Sequence, residues 1–157
     1  MKKNNQKGEM NILQKTKKTK KEKYILDACS LLSIIREEQG YETVVSLIKQ
    51  ANHFDIELYI NKINLLEVYY DVSRCEGLST AESFYIGIQD TSIKIIDVLS
   101  DDVFRKASFF KTRYKMSLAD AILLSQAYDL CASIVTSDHN DLDIVEKQEN
   151  MKFVWIR

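Results

Sequence analysis

Short apolar runs alternate with stretches of helical periodicity along most of this chain, and no other feature restricts its fold as severely. Tyr24–Leu26, Glu57–Ile60, Ser92–Ile96, Ala132–Thr136 and Phe153–Ile156 each read as a strand. Between them, Val44, Ile48, Ala51 and Phe54 recur at the spacing of one helix face, as do Val103, Ala107, Phe110 and Tyr114. Leu31 to Ile35 predicts a shorter helix stopped near Gly40. Asn64 with Glu67 three residues on, and Ser117 with Asp120, carry the pattern of an N-cap and its N3 acid. Strands that are apolar throughout must be covered on both faces, and strands separated by helices pair in parallel. The expected architecture is therefore α/β, a three-layer α/β/α sandwich with a central, mainly parallel sheet.

A chain of 157 residues, 45% apolar, suits one domain with a single buried core. Its formal charge of −1 is an average over two unlike segments. Residues 1–23 hold nine lysines against Glu9 and Glu22, a balance of +7, which leaves −8 on residues 24–157. With only Met10, Ile12 and Leu13 to bury, residues 1–23 are expected to be a disordered basic extension, and residues 24–157 the domain. Such a leader is either a solvated tail or an electrostatic arm for nucleic acid.

Lys15 to Ile35 imitates a secretory signal, a cationic run followed by apolar residues. Asp27 spoils it: a carboxylate inside such a segment costs about 2.5–3.5 kcal/mol on insertion scales. Arg36-Glu37-Glu38 then stand where a cleavage site needs small residues. With no apolar run of ~18 residues either, no membrane span is expected and the location is cytoplasmic. Three widely spaced cysteines without a C-x-x-C pair predict neither a disulfide framework nor a zinc site. Cys29 and Cys131 are expected as small core residues, and His53 as a surface residue.

In an open parallel sheet, ligands bind beyond the carboxyl ends of the strands. Asp27 ends the first strand, and Asp138 lies just past Thr136 at the end of the fourth, followed by Asp141 and Asp143. Glu67 and Asp120 each fall in the first turn of a predicted helix, at the same edge. Singly, Glu67 and Asp120 could be capping acids that offset a helix dipole. Together, four carboxylates from remote parts of the chain can meet in one crevice. Two like charges about 4 Å apart repel by roughly 4 kcal/mol at an effective dielectric of 20, so such a cluster calls for a cation. Oxygen donors without a Cys/His set select a hard divalent ion, Mg²⁺ or Mn²⁺. Metal-assisted hydrolysis of a phosphodiester is the reaction class that follows.

Tyr24-Ile25-Leu26-Asp27-Ala28, Asn64-Leu65-Leu66-Glu67, Ser117-Leu118-Ala119-Asp120-Ala121 and Val135-Thr136-Ser137-Asp138 resemble, in order and approximate spacing, the four acidic motifs of PIN-domain ribonucleases. The likeness is to the short toxins of VapBC-type toxin–antitoxin pairs and spans roughly residues 24–156. It implies a PIN-like fold, a Mg²⁺- or Mn²⁺-dependent endoribonuclease, a homodimer, and a protein antitoxin that blocks the site. Carried over by position, Asp27, Glu67, Asp120 and Asp138 are the catalytic, metal-binding acids and Thr136 a supporting hydroxyl. Asp141 and Asp143 are alternatives for part of the role of Asp138. Cys29 departs from the family, which often has a small hydroxyl residue two positions after the first Asp. Other readings of the same acids are an RNA-maturation nuclease, a PIN-like module that binds RNA or protein without cutting, and an aspartyl-phosphate receiver or phosphatase. The phosphatase class expects a second Asp where Cys29 stands.

Overall fold

A computed structural model of the chain describes residues 20–157. Five strands, β1 (Lys23–Leu26), β2 (Glu57–Asn61), β3 (Lys94–Ile96), β4 (Ser133–Thr136) and β5 (Phe153–Trp155), form one sheet in the order β3-β2-β1-β4-β5. Every pairing is parallel. Seven helices connect them among the described residues: α1 (Ala28–Ile35), α2 (Tyr41–Asn52), α3 (Lys62–Glu76), α4 (Leu78–Gln89), α5 (Asp101–Arg113), α6 (Leu118–Leu130) and α7 (His139–Gln148). Most of the basic leader, residues 1–19, lies outside the described residues. Lys23 already belongs to β1, so the leader ends slightly earlier than its charge pattern predicts.

Successive strand residues point to opposite faces, and the core divides accordingly. Leu26, Leu58, Ile60 and Val135 pack with α1 to α4 on one side. Ile25, Tyr59 and Ile134 pack with α5, α6 and α7 on the other. The α6 helix is buried all round from Ala119 to Ala127, which is why its apolar residues show no single stripe.

Three local expectations change. The helix expected to run from Val44 to Phe54 ends at Asn52, and Val44, Leu47 and Ala51 supply its buried face. Phe54 adopts a left-handed φ of 61° beyond the cap and is 69% exposed. Cys131 is exposed rather than core, because it ends α6 in the left-handed conformation. Cys29 is half-buried at the edge of the sheet. His53 lies at the surface, as expected.

Gly40 joins α1 to α2 with a φ of 92°, and its α-carbon abuts the end of the chain: a β-carbon there would sit 1.7 Å from the Ile156 carbonyl oxygen. Only glycine satisfies both demands.

Candidate functional site

The connection leaving β1 runs to β2 on one side, while β4 pairs on the other, so the topological switch point lies between the carboxyl ends of β1 and β4. A cleft of about 340 Å³ opens there. Asp27, Cys29, Glu67, Ser117, Asp120, Asp138 and Asp141 all contribute to its walls.

Asp27 follows the last residue of β1 and is the N-cap of α1. Burial leaves it 5% exposed, and both oxygens are held. Oδ1 accepts from the Ala28 N–H and from Asn64 Nδ2, each at 2.7 Å. Oδ2 accepts from the Thr136 hydroxyl at 2.8 Å and the Cys29 thiol at 3.1 Å. Thr136 Oγ1 in turn accepts from the Asp138 N–H at 3.0 Å, tying the ends of β1 and β4 together. The thiol of Cys29 also accepts from the Ser137 N–H at 3.2 Å. It thus occupies a hydroxyl's place in this network. Burial, then the charge of Asp27, pushes that thiol up to about 11, so it is neutral at physiological pH and serves as a donor.

Asp120 is N3 of α6 and completes a capping box: Ser117 Oγ accepts from the Asp120 N–H at 3.0 Å and the Asp120 carboxylate accepts from the Ser117 N–H at 3.1 Å. The capping role and the cleft-lining role coexist in one side chain. Asp138 is the N-cap of α7, its carboxylate accepting from the Asn140 N–H at 3.0 Å. Asp141 follows in the first turn of α7 and reaches the cleft. Asp143 does not: it pairs with His139 Nδ1 at 2.7 Å on another side of α7.

Asn64 is not the N-cap of α3. That position belongs to Asn61, whose side chain accepts from the Asn64 N–H at 2.7 Å, so α3 begins three residues earlier than predicted. Glu67 consequently lies in the second turn, past the reach of a capping acid, and faces the cleft. Asn64 is fully buried and holds Asp27, a role the cap assignment concealed. The signal for it was its place one turn before Glu67 on the same helix face. Tyr70 and Asp71, one turn after Glu67, complete this wall and were also missed. Asp71 is neutralised by Arg36 and by Arg74, the latter at 2.7 Å.

The other acids have no such relief. Among the described residues no cation pairs with Asp27, Glu67, Asp120, Asp138 or Asp141. Burial, and then the charges of Asp27 and Asp120, raise Glu67 above the usual carboxylate range. Burial chiefly, with Asp27 and Asp138 adding repulsion, raises Asp120 in the same direction. Asp27 is raised by burial against the lowering effect of its hydrogen bonds. Carboxylate oxygens of Asp120, Asp138 and Asp141 all lie within 4.8 Å of one another. That spacing lets one ion touch all three, and a donor set made only of carboxylate oxygens suits a hard divalent cation.

An all-parallel sheet carrying unneutralised acids at its switch point is the arrangement expected of a PIN domain. The PIN domain profile matches residues 24–147, and the chain belongs to that family. Solved structures agree in fold. A toxin–antitoxin complex from Klebsiella pneumoniae contains a chain 16% identical, with a TM-score of 0.65 over 85% of this chain and 98% of that one. VapBC2 from Rickettsia felis, bound to a DNA fragment from its promoter, gives 19% identity and a TM-score of 0.66 over 84% and 97%. A DNA-bound VapBC from Salmonella typhimurium gives 13% identity and 0.68 over 87% and 99%. No curated protein matches the chain.

Proposed function

We propose that this PIN domain is a divalent-metal-dependent endoribonuclease and the toxin of a toxin–antitoxin pair, acting in the cytoplasm as a homodimer and blocked by a protein antitoxin. The observation that carries the reading is the set of unpaired carboxylates at the switch point. Asp120, Asp138 and Asp141 form the tight trio, while Asp27 and Glu67 line the same cleft. Asp120, Asp138 and Asp141 would hold a Mg²⁺ or Mn²⁺ ion, with Asp27 and Glu67 adding negative charge, and the ion would supply Lewis-acid polarisation of a phosphate and a water of lowered pKa.

The chain's own residues do the rest. Thr136, Asn64 and the Ala28 N–H hold Asp27 in one orientation, so its charge is aimed before substrate arrives. Ser117 holds Asp120 in the same way. His139 is not positioned as a general base, because both of its ring nitrogens are engaged outside the cleft. This fold covers nearly the whole length of a chain in several toxin–antitoxin complexes, which supports the toxin role; a Mycobacterium tuberculosis structure matched with a TM-score of 0.60 is a Sarcin-Ricin loop cleaving toxin. No helix among the described residues is long and apolar enough to cross a membrane, which accords with cytoplasmic action.

The purified protein is expected to cleave RNA with Mn²⁺ or Mg²⁺ and to stop on adding EDTA. Loss of an outer partner of a metal site costs about 10–100-fold, and Asp27→Asn is expected to cost activity in that range. Cleavage that survives both treatments overturns the reading.

A further inference from the structure

The first turns of α7 present two faces. Asp138 and Asp141 turn toward the cleft, whereas His139, Asp143 and Glu146, spaced i, i+4 and i+7, turn toward β5. On that second side three rings form a column. The His139 imidazole lies on the Trp155 indole with centroids 4.1 Å apart and planes 16° from parallel, and Trp155 lies on Phe153 at 5.2 Å and 8°. β5 is an edge strand, and Trp155 sits in register with Thr136. The column therefore climbs along the sheet edge to the same end at which the acidic cleft opens, and its top ring belongs to the residue directly after Asp138.

The ring edges are all committed. His139 Nδ1 meets Asp143 at 2.7 Å, Nε2 donates to the Arg157 carbonyl at 2.8 Å, and Trp155 Nε1 donates to Glu146 at 3.0 Å. Coordination and proton transfer are thereby closed to His139, and only a ring face is left. Its side chain is 49% exposed and Trp155 covers one face, which leaves the opposite face as the one able to receive a stacked ring. Two hydrogen bonds lock that face in place, which removes most of the ordering cost of a ligand stacking on it. The acidic body repels a phosphate backbone, and a π-face is a handle on RNA that carries no charge and that every base can meet.

We propose that the Phe153–Trp155–His139 column is a stacking platform for an unpaired nucleobase of the RNA strand whose backbone enters the neighbouring acidic cleft. The proposal rests on the nuclease reading above. A purely structural account makes the same rings a clamp between α7 and β5, and the two differ in what the outer face of His139 does.

Trp155 is the only tryptophan in the chain, so tryptophan emission excited selectively over the tyrosines reports on the column alone. Stopped-flow mixing with a short oligoadenylate in Mg²⁺ is expected to show saturable quenching before cleavage. His139→Leu keeps an apolar cover over Trp155 but has no π-face; it is expected to lose most of the quenching and to raise KM for RNA about fivefold to tenfold, the loss falling on KM rather than kcat. His139→Phe is expected to restore both. Wild-type quenching and KM in His139→Leu overturn the platform, as does failure of His139→Phe to restore them while its thermal stability matches wild type. If the wild type is quenched yet never cleaves RNA, the nuclease reading falls and the platform stands; if it cleaves without quenching, the platform falls alone.

Discussion

At the scale of single residues, the cleft trades stability for charge. Asp27, Glu67 and Asp120 are all raised above the ordinary carboxylate range, by burial first and then by the charges of neighbouring acids: Asp138 on Asp27, Asp27 and Asp120 on Glu67, Asp27 and Asp138 on Asp120. Each holds its proton to a higher pH in the folded, metal-free protein than in the unfolded chain. Their contribution to stability is fully present below the unfolded carboxylate range, near pH 4, and is lost as pH rises through the raised folded values. Glu67 is the cleanest probe, because it contributes charge to the cleft without capping a helix. In metal-free protein at pH 7.5, Glu67→Gln is expected to raise Tm by roughly 1 °C, the scale of a few tenths of a kcal/mol in a protein of this size. The gain should shrink as pH falls through about 4 and vanish below it, where glutamate is protonated in both states. Saturating Mg²⁺ should reverse the order, because the wild type binds the ion more tightly and gains more from it. Calorimetry across pH, with and without metal, checks all three statements; a gain that persists undiminished at pH 4 overturns the electrostatic account.

At the scale of elements, helix starts carry the site. Ser117 and Asp120 were legible as a capping box because the pattern is local, three residues apart, and the structure forms both of its hydrogen bonds. Ser117→Ala removes the hydroxyl that accepts from the Asp120 N–H and is expected to cost about 1 kcal/mol, lowering Tm by some 2–4 °C. Thermal unfolding measures that loss, and an unchanged Tm contradicts the cap. The start of α3 was legible only to within a turn. Asn61 and Asn64 are both acceptable caps by residue type, and the choice of Asn61 frees Asn64 to hold Asp27, which is distant in sequence. Asp138 illustrates the opposite case: the polar stretch after β4 lacks an apolar stripe strong enough to announce α7, yet Leu142 and Val145 suffice to seat it.

At the scale of the whole molecule, the charge of −1 remains a sum over unlike parts. The acidic body gathers five unpaired carboxylates, Asp27, Glu67, Asp120, Asp138 and Asp141, at one edge of the sheet, and the lysines of residues 1–19 can offset its repulsion of RNA. Removing residues 1–19, and leaving Lys23 in β1, is expected to weaken RNA binding and to flatten its salt dependence by about 0.7 in slope for each lysine that contacts phosphate. Titrations at several salt concentrations decide this; an unchanged slope makes the leader a solvated tail.

The sequence by itself determined the layer architecture and the family. Apolar runs alternating with helical periodicity admit few arrangements, and a parallel sheet brings strand ends to one edge wherever its helices lie. It also placed Asp27, Glu67, Asp120 and Asp138 at that edge. Only the tertiary structure decided which acids share one point in space: Asp141 joins Asp120 and Asp138, while Asp143 turns away to His139. It likewise decided that Cys29, Asn64 and Thr136 converge on Asp27. The reason is geometric. Which oxygens meet depends on strand order, on helix rotation of about 100° per residue and on a cap position that shifts by three residues at no cost in residue type, and none of these is a property of a local stretch of chain.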